Sequence, residues 1–285
     1  AEDAFRRGNT VYVIGHGVSK MDVSTGAVSA HALNIKKADG SKAMARDTSF
    51  AGQLADGRLV VVYVPSMQDV AGASEIPVMT AVEDVGSDGT AFTTTGQAIS
   101  IPKASLGIGE PTDPDVFFNG SAWVLYVSVG ANVISYTGPA PGGPFALGTA
   151  SQVSSNSGGV ASGIAADGAV WTYVNQGDRN QVSIRRAVTA TGTSLIANGA
   201  FSIVLSGSQM GTATAESPGI AANVAGIACG TGCGTNATGS SASSTPSKKK
   251  PRPGASCSKA GAKASFGSTT LTCRKRKGAL FWVRN

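Results

Sequence analysis

The sequence predicts an all-β protein, a β-propeller of about five blades followed by a flexible linker and a small disulfide-bonded β module. Three observations support this prediction. Charged residues make up only 14% of the 285 residues, while glycine occurs 38 times, a composition typical of strands joined by tight turns. A hairpin pattern recurs along most of the chain. Beyond about residue 234 the composition changes to Gly, Ser, Thr, Lys and Pro.

The recurring hairpin is marked by an Asx-Gly pair between two apolar runs. Asp56-Gly57 precedes "RLVVVYV", Asn119-Gly120 precedes "SAWVLYV", and Asp167-Gly168 precedes "AVWTYV". Such a pair favours a tight hairpin, because both of its residues tolerate positive φ. We therefore expect Asp56, Asn119 and Asp167 to form turns.

Each hairpin continues into further strand-like segments, which suggests four-stranded blades. The third strands are "SEIPVMTAVE", "NVISYTG" and "QVSIRRAV". A truncated fourth copy is "ESPGIAANVAG", from Glu216 to Gly226. The first strands of the chain could complete the last blade and close the ring, which gives about five blades. A β-sandwich is the alternative fold, and the repeat argues against it.

Charge and composition divide the chain into three parts. We place the propeller at residues 1–233, a Gly/Ser/Thr/Lys/Pro linker at 234–255 and a basic Cys-pair module at 256–285. Residues 241–285 hold 11 Lys and Arg and no acid, so the net charge of +6 belongs to the tail and the propeller is mildly acidic. The tail could serve only as a solubilising segment, or it could attach to an anionic surface. Nucleic acid is not an expected partner.

The four cysteines form two close pairs in the sequence. Cys229 and Cys233 lie in "CGTGC", while Cys257 and Cys273 bracket a short segment. Local pairing into two disulfides is the simplest of the possible connectivities, and it predicts an exported protein. Metal binding is the competing explanation, but neither pair has the two-residue spacing of a zinc knuckle. We expect no metal and no cofactor.

The chain carries no apolar run long enough to span a membrane. It opens with "AEDAF", which lacks the charged-then-apolar pattern of a leader. The expectation is a bacterial protein, secreted or attached to the cell surface, in its mature form after removal of a signal peptide. The sequence does not predict an oligomeric state.

One segment suggests a family. "DPDVFFNGSAWVLYVS" resembles the blade-opening motif of the five-bladed glycoside hydrolases of the arabinanase and xylosidase group known as family 43, which are related to invertases. "DTSFAGQLADGRLVVVYV" is similar to a degenerate form of this motif, and "AESPGIAAN" to the Glu-x-Pro segment of a later blade. The tail from Cys257 to Trp282 resembles small Cys-pair modules of secreted actinobacterial proteins.

The resemblance implies a site of three carboxyl groups facing a central funnel. By motif position, Asp47 would be the base or nucleophile, Asp113 would tune the pKa of its neighbours and orient the substrate, and Glu216 would be the acid. Glycoside hydrolysis needs one protonated carboxyl group and one ionised carboxylate, so the chemistry fits this set of residues. The alternative is that Asp47 and Asp113 only cap turns at strand entries.

Three further residues have both a functional and a structural interpretation. Trp123 could stack on a sugar, although an aromatic residue at its position in a second strand more often packs in the core. His16 in "IGHGVS" could be a neutral donor near the axis or an ordinary turn histidine. Asp115 is expected to be a solvated turn residue.

The leading functional hypothesis is a secreted glycosidase that acts on or binds a polysaccharide or cell-wall polymer. The alternative is a non-catalytic propeller used for carbohydrate binding or adhesion at the cell surface. The alternative is motivated by the unit that opens "SGGVASG", which has no acid at its head. Convergence of the three carboxyl groups on one cleft would separate the two hypotheses.

Overall fold

A computed structural model describes residues 3–106, 109–156, 161–177, 182–221, 260–266, 269–276 and 279–284. The chain forms two compact units, Ala1–Ala237 and Thr238–Asn285. The strands of the first half are β1 (Asp3–Arg7), β2 (Thr10–Ile14), β3 (Gly17–Asp22), β4 (Val28–Ala32), β5 (Asn34–Lys36), β6 (Ala45–Gln53), β7 (Leu59–Pro65), β8 (Glu75–Glu83) and β9 (Ala91–Pro102).

The strands of the second half are β10 (Pro111–Phe118), β11 (Trp123–Val129), β12 (Asn132–Gly138), β13 (Ala146–Ser154), β14 (Ala161–Ala166), β15 (Ala169–Gln176), β16 (Ser183–Thr189) and β17 (Ser202–Ser206). Short 3₁₀ helices occupy Lys103–Ser105 and Asn198–Ala200, and one helical turn, α1, occupies Gly207–Met210. No helix in the described parts of the chain is long and apolar enough to cross a membrane.

The first unit is a β-propeller. Blade 1 is the antiparallel sheet β1-β2-β3-β4, blade 3 is β10-β11-β12-β13 and blade 4 is β14-β15-β16-β17. Blade 2 is β6-β7-β8-β9, to which β5 adds in parallel along β9. In each blade the strands pair in chain order, which is the meander that the recurring hairpins predict.

The described residues form four blades, so the predicted count of about five is not confirmed. The N-terminal strands do not complete the last blade, because β1 to β4 form a whole blade by themselves. The truncated copy does not begin with a strand either, since Glu216–Ala221 has no strand structure. A short Glu-x-Pro segment thus resembles the head of a blade in sequence without the backbone pairing that makes one.

Apolar layers between successive blades hold the propeller together. One layer joins blades 1 and 2, a second joins blades 2 and 3, and a third joins blades 3 and 4. In β7, Val60 and Val62 face the second layer while Val61 faces the first. Because both faces of this strand are covered, its residues form a continuous apolar run rather than an alternating one.

The predicted turns are confirmed by the backbone. Gly57 and Gly120 have φ of 89° and 97°, and Asp167 itself has a φ of 53°. The carboxamide oxygen of Asn119 accepts hydrogen bonds from the backbone N–H groups of Ser121 and Ala122, both at 3.0 Å. These are the conformations and side-chain contacts that select Asx and Gly at such positions.

The inner strands of blades 3 and 4 approach closely at Gly163. A Cβ atom at Gly163 would lie 2.1 Å from Cε1 of Phe117. A larger residue therefore does not fit, which gives a physical reason for the Gly-rich, acid-free head of this blade.

The described strands of blades 4 and 1 share no apolar layer. A non-strand segment, residues 213–221, spans this side instead. The hydroxyl group of Ser162 in β14 donates to the carbonyl oxygen of Pro218 at 2.5 Å. The backbone N–H of Ile220 donates to Asp3 in β1. Hydrogen bonds through this segment therefore connect the last blade to the first.

The second unit is described only in part. Strands β18 (Lys263–Phe266), β19 (Thr269–Arg276) and β20 (Ala279–Arg284) form an antiparallel sheet. Cys273 in β19 is buried and disulfide-bonded. Cys229, Cys233 and Cys257 lie outside the described residues, as does the predicted linker at 234–255, so the pairing of the cysteines stays a prediction.

Candidate active site

The first strands of the four blades line the centre of the propeller side by side. Asp3 in β1 contacts Phe50 in β6, Arg46 in β6 contacts Pro111 in β10, and Asp115 in β10 contacts Gly163 in β14. These contacts join residues at similar heights along neighbouring inner strands. The inner strands therefore run in the same direction and begin at the same end of the ring. We call this end the mouth.

Two buried carboxyl groups lie near the centre, and we call Asp3 and Asp115 the axial pair. Asp3 is 5% exposed. Its Oδ2 accepts hydrogen bonds from Oγ of Ser49 at 2.8 Å and from the backbone N–H of Phe50 at 2.9 Å, and its Oδ1 accepts from the backbone N–H of Ala4 at 2.7 Å. Burial raises the pKa of Asp3 to about 6, and these hydrogen bonds oppose the rise because they favour the charged form.

Asp115 is equally buried, at 5% exposure. Its Oδ2 accepts the backbone N–H of Gly163 at 2.8 Å. Burial raises the pKa of Asp115 well above its usual range, and the negative charge of Asp3 adds to the rise. An acid next to another buried acid holds its proton more tightly, since two unshielded negative charges repel each other.

The prediction of a solvated Asp115 is therefore wrong, and the backbone explains why. The pairing of β10 with β11 shifts register between Thr112 and Asp115. Asp113 occupies this bulge with a φ of 49°. The extra residue of a bulge changes which side chains face inward. Here Asp115 is buried and Asp113 is only partly buried.

The axial pair lines a cavity of about 180 Å³. Its other walls are mostly apolar and aromatic, with Phe5 and Phe50 on one side and Phe117 and Phe118 on another. An apolar wall keeps water away and maintains the desolvation that raises both pKa values. The cavity thus combines a carboxyl group that retains its proton with one that loses it more readily.

Asp47 and Asp113 lie at the mouth on neighbouring inner strands. Arg46 connects these strands: its Nε is 3.1 Å from Oδ2 of Asp47, its Nη1 is 3.2 Å from Oε2 of Glu110, and its Nη2 donates to the carbonyl oxygen of Pro111. Asp113 follows two residues after Pro111. The structure therefore places two of the three predicted carboxyl groups on adjacent strands at one end.

Glu216 is exposed and lies outside any blade, in the segment that spans blades 4 and 1. The backbone N–H of Ala215 donates to the carbonyl oxygen of Val182 at 3.0 Å, and that of Ser217 donates to Oδ1 of Asn175 at 3.2 Å. Asn175 is near the end of β15, beside the start of β14. Glu216 therefore also lies at the mouth, and convergence of the three carboxyl groups on one sugar stays a prediction.

The two predicted substrate-binding residues have different environments. His16 is exposed in the turn between β2 and β3 and lines a groove of about 360 Å³ that Arg46 and Thr48 also line. Trp123 is 2% exposed and packs between blades 2 and 3. Its position favours the core interpretation over sugar stacking, because almost none of its surface faces solvent.

Asp3 was not among the predicted site residues. The sequence nevertheless contains a signal for the axial pair, which is the spacing of each aspartate from the hairpin glycine that follows it. Asp3 and Asp115 each precede a hairpin glycine, Gly8 and Gly120, by five residues. In the next blade the same position before Gly168 holds Gly163. Aligning every hairpin glycine, including the first, would have marked the inward-facing position of each inner strand.

Among the described residues, no group of three or more His, Cys, Asp or Glu side chains could hold a metal ion.

Comparison with known proteins shows the fold. No protein-family profile and no curated protein sequence matches the chain. A novel α-L-arabinofuranosidase of the GH43 type from Clostridium thermocellum ATCC 27405 is similar in structure, with a TM-score of 0.50 and 13% identity over 72% of this chain and 72% of that chain. A GH43 β-1,3-galactosidase has a TM-score of 0.49 and 12% identity over 72% of this chain and 45% of that chain. The chain thus shares a propeller fold with the GH43 arabinofuranosidase.

Proposed function

We propose that this protein is a glycoside hydrolase that acts on a polysaccharide at the centre of its propeller. The observation that carries the proposal is the axial pair. Two carboxyl groups from different blades share a cavity of about 180 Å³, and burial raises the pKa of both. Paired carboxyl groups whose environments separate their pKa values are the chemical requirement for breaking a glycosidic bond.

The roles follow from the order of the two pKa values. Asp115 keeps its proton at higher pH and is the proton donor to the leaving glycosidic oxygen. Asp3, whose pKa is about 6, is ionised at neutral pH and serves as the base that activates water or as the nucleophile. In either case the bond from the anomeric carbon to the leaving oxygen breaks as a bond to the new oxygen forms.

The mouth acids form a second candidate set. In that assignment Asp47 is the base or nucleophile, Asp113 is the modulator and Glu216 is the acid. The axial pair is the better supported of the two sets, because both of its carboxyl groups are buried. In the mouth set, Glu216 is exposed and Asp47 forms an ion pair with Arg46. The mouth acids then serve as binding groups for the polymer.

Single isosteric substitutions separate the two sets. Turnover is measured on a panel of arabinan, xylan and fructan, and every variant is checked for folding by circular dichroism. Asp115→Asn and Asp3→Asn are expected to lower turnover by about 10²–10⁴-fold, the usual contribution of a general acid or base. Asp167→Asn, in the hairpin turn after β14, is the matched control and should retain full activity.

The outcomes assign the catalytic residues. Loss of turnover in Asp113→Asn and Glu216→Gln, with Asp115→Asn fully active, would move catalysis to the mouth acids. Absence of turnover by the wild-type protein on every polymer, together with binding to one of them, would favour a non-catalytic carbohydrate-binding propeller. The observation that supports this second function is that Asp3 already ties blade 1 to blade 2 through the two hydrogen bonds it accepts from Ser49 and Phe50.

We also propose that the protein is secreted or held at a bacterial cell surface. Two features support this proposal: the disulfide-bonded Cys273, and the 11 positive charges within residues 241–285. Disulfides persist in oxidising compartments, and a basic segment is attracted to anionic wall material.

A further inference from the structure

A second groove opens at the rim of the propeller, between blades 2 and 3. It has a volume of about 420 Å³. We call it the rim groove, and its lining residues come from the end of β9 and the following 3₁₀ helix (Pro102, Ser105, Leu106) and from β11 to β13. This volume lies within the range of ordinary ligand sites.

The rim groove lies at the mouth end of the propeller, where the inner strands begin. Val129, which lines the groove, pairs with Pro111 at the start of β10. Pro102, on the opposite wall, pairs with Glu75 at the start of β8, and β8 begins where β7 ends beside the start of β6. A polymer that enters the mouth therefore reaches the rim groove without passing around the molecule.

The floor of the groove is apolar. Leu106, Val129, Ile134, Tyr136 and Leu147 line it. Tyr136 is 3% exposed and its pKa is raised by burial, so its ring belongs to the floor. Leu147 is 45% exposed. An apolar floor of this kind matches the C–H face of a sugar ring, which packs on aliphatic and aromatic side chains.

The rim is polar and uncharged. Nε2 of Gln152 donates to Oδ1 of Asn132 at 2.9 Å. This bond fixes the two amides so that Asn132 presents its N–H₂ group and Gln152 its carbonyl oxygen. Ser105 and Ser151 add hydroxyl groups. Sugar hydroxyl groups both donate and accept hydrogen bonds, so they bind well where donors and acceptors lie side by side.

None of the described lining residues carries a charge. A carboxylate, sulfate or phosphate group on the ligand would lose water of hydration in this groove without gaining a cation as partner, which is unfavourable. The lining therefore selects neutral sugars over acidic ones.

We propose that the rim groove is a second, non-catalytic binding site for neutral sugar residues of a polysaccharide. The choice of a polysaccharide as ligand rests on the proposed function, whereas the neutrality of its sugars rests on the groove itself. The site holds one stretch of the polymer while another stretch occupies the mouth.

Affinity electrophoresis of the full-length protein tests this inference. Native gels contain arabinan, xylan or fructan, and retardation gives the dissociation constant. The double variant Asn132→Ala/Gln152→Ala should bind the retarding polymer about tenfold more weakly, as expected for the loss of two hydrogen bonds. Leu147→Asp, which places a charge on the floor at an exposed position, should weaken binding to a similar extent.

The matched control is Gln97→Ala, which removes an exposed strand glutamine outside the groove. This variant should bind like the wild type.

Further readouts separate this site from the catalytic one. Turnover of a short aryl glycoside should be unchanged in the groove variants, because that substrate does not reach the groove. Loss of polymer retardation in both groove variants supports the site even if the wild-type protein hydrolyses nothing. Retardation equal to the wild type in both groove variants overturns it, whatever the turnover. Stronger groove-dependent retardation by polygalacturonate than by neutral polymers overturns the assignment to neutral sugars.

Discussion

Asp113 and Asp115 lie two residues apart in one strand, yet their side chains occupy different environments. The bulge between Thr112 and Asp115 buries Asp115 beside Asp3 and leaves Asp113 partly exposed at the mouth. The side chain alone does not decide whether an aspartate is a turn residue or half of a buried pair. At the residue scale, a single β-bulge therefore decides whether a carboxyl group of this strand is buried or partly exposed.

The axial pair predicts an unusual dependence of stability on pH. Asp3 has a pKa of about 6 in the folded protein, against about 3.9 in an unfolded chain. The folded state therefore binds this proton more tightly. The contribution of Asp3 to stability is fully present below the unfolded pKa and is lost as the pH rises through the folded pKa. The expected loss from Asp3 alone between about pH 4 and pH 6 is on the order of 3 kcal/mol.

Thermal unfolding followed by circular dichroism from pH 3.5 to pH 8 measures this loss. Asp115→Asn removes the other carboxyl group whose pKa is raised in the folded state, so the decline across the pH window should shrink. Asp167→Asn should leave it unchanged. A wild-type melting temperature that rises steadily from pH 4 to pH 6 would contradict the prediction.

Acidification below about pH 4 should reverse the trend. Hydrogen bonds from Ser24 and Thr25 lower the pKa of Asp22 to about 2. The pKa of Asp88 is also about 2, because hydrogen bonds from Lys20, Tyr12 and Arg7 outweigh its desolvation. Carboxyl groups with a lowered pKa stabilise the fold above the unfolded pKa and lose that contribution as the pH falls.

At the scale of the strands, the propeller depends on elements that are buried on both faces. In β11, Trp123 and Leu125 face the layer between blades 2 and 3, while Val124 and Tyr126 face the layer between blades 3 and 4. The hydroxyl group of Tyr126 is satisfied by the carbonyl oxygen of Gly192 at 2.6 Å. Each fully buried apolar side chain contributes about 1.5–3 kcal/mol, so such strands dominate the packing between blades.

Blade 1 is joined to blade 2 by a partly buried ion pair. Nη1 of Arg7 lies 2.6 Å from Oε2 of Glu83, whose side chain is only 4% exposed. The same carboxylate accepts the backbone N–H of Leu59 at 2.7 Å. Glu83 is therefore a buried charge with one cationic partner from the neighbouring blade.

Arg7→Met should destabilise the propeller by about 3 kcal/mol, because it leaves the carboxylate of Glu83 buried without its cation. The measurement is chemical denaturation at neutral pH. Arg58→Met is the matched control: the pair formed by Arg58 and Asp56 is exposed, so its loss should cost less than about 1 kcal/mol. Equal effects of the two substitutions would show that the Arg7 pair contributes no more than a surface pair.

At the scale of the whole molecule, two features stand out. The described blades pack in the sequence 1-2-3-4, and residues 213–221 connect blade 4 back to blade 1 through hydrogen bonds to Ser162 and Asp3. The excess of positive charge lies in residues 241–285, which hold 11 Lys and Arg and no acid. The propeller carries the candidate site, and the tail carries the net positive charge of the chain.

Deletion of residues 246–285 should abolish salt-sensitive binding to anionic wall material. The tail supplies the positive charge, and attraction between exposed charges is screened by salt. The measurement is cosedimentation with wall polymers at low and high ionic strength. Turnover or binding of neutral polysaccharide should be retained in the truncated protein, which serves as the internal control. Undiminished binding to the anionic material would reject the targeting role.

The fold could be predicted largely from local patterns. Asp56, Asn119 and Asp167 mark their turns because an Asx-Gly pair stabilises a hairpin through its own backbone preferences. The continuous apolar runs of β7 and β11 follow from burial on both faces. The number of blades could not be predicted in this way. A Glu-x-Pro segment can begin a blade or lie outside any strand, and the local sequence pattern does not distinguish the two.

The candidate site was predictable only in its general position and residue type. The sequence by itself determined that carboxyl groups would stand near the starts of inner strands, since the hairpin glycines set the register of each strand. Only the tertiary structure decided that Asp3 and Asp115 share a cavity, that Trp123 packs in the core and that Glu216 lies outside the blades. These outcomes depend on a bulge and on contacts between residues far apart in the sequence, such as Asp3 and Ile220. Such contacts form only when the blades assemble around a common centre.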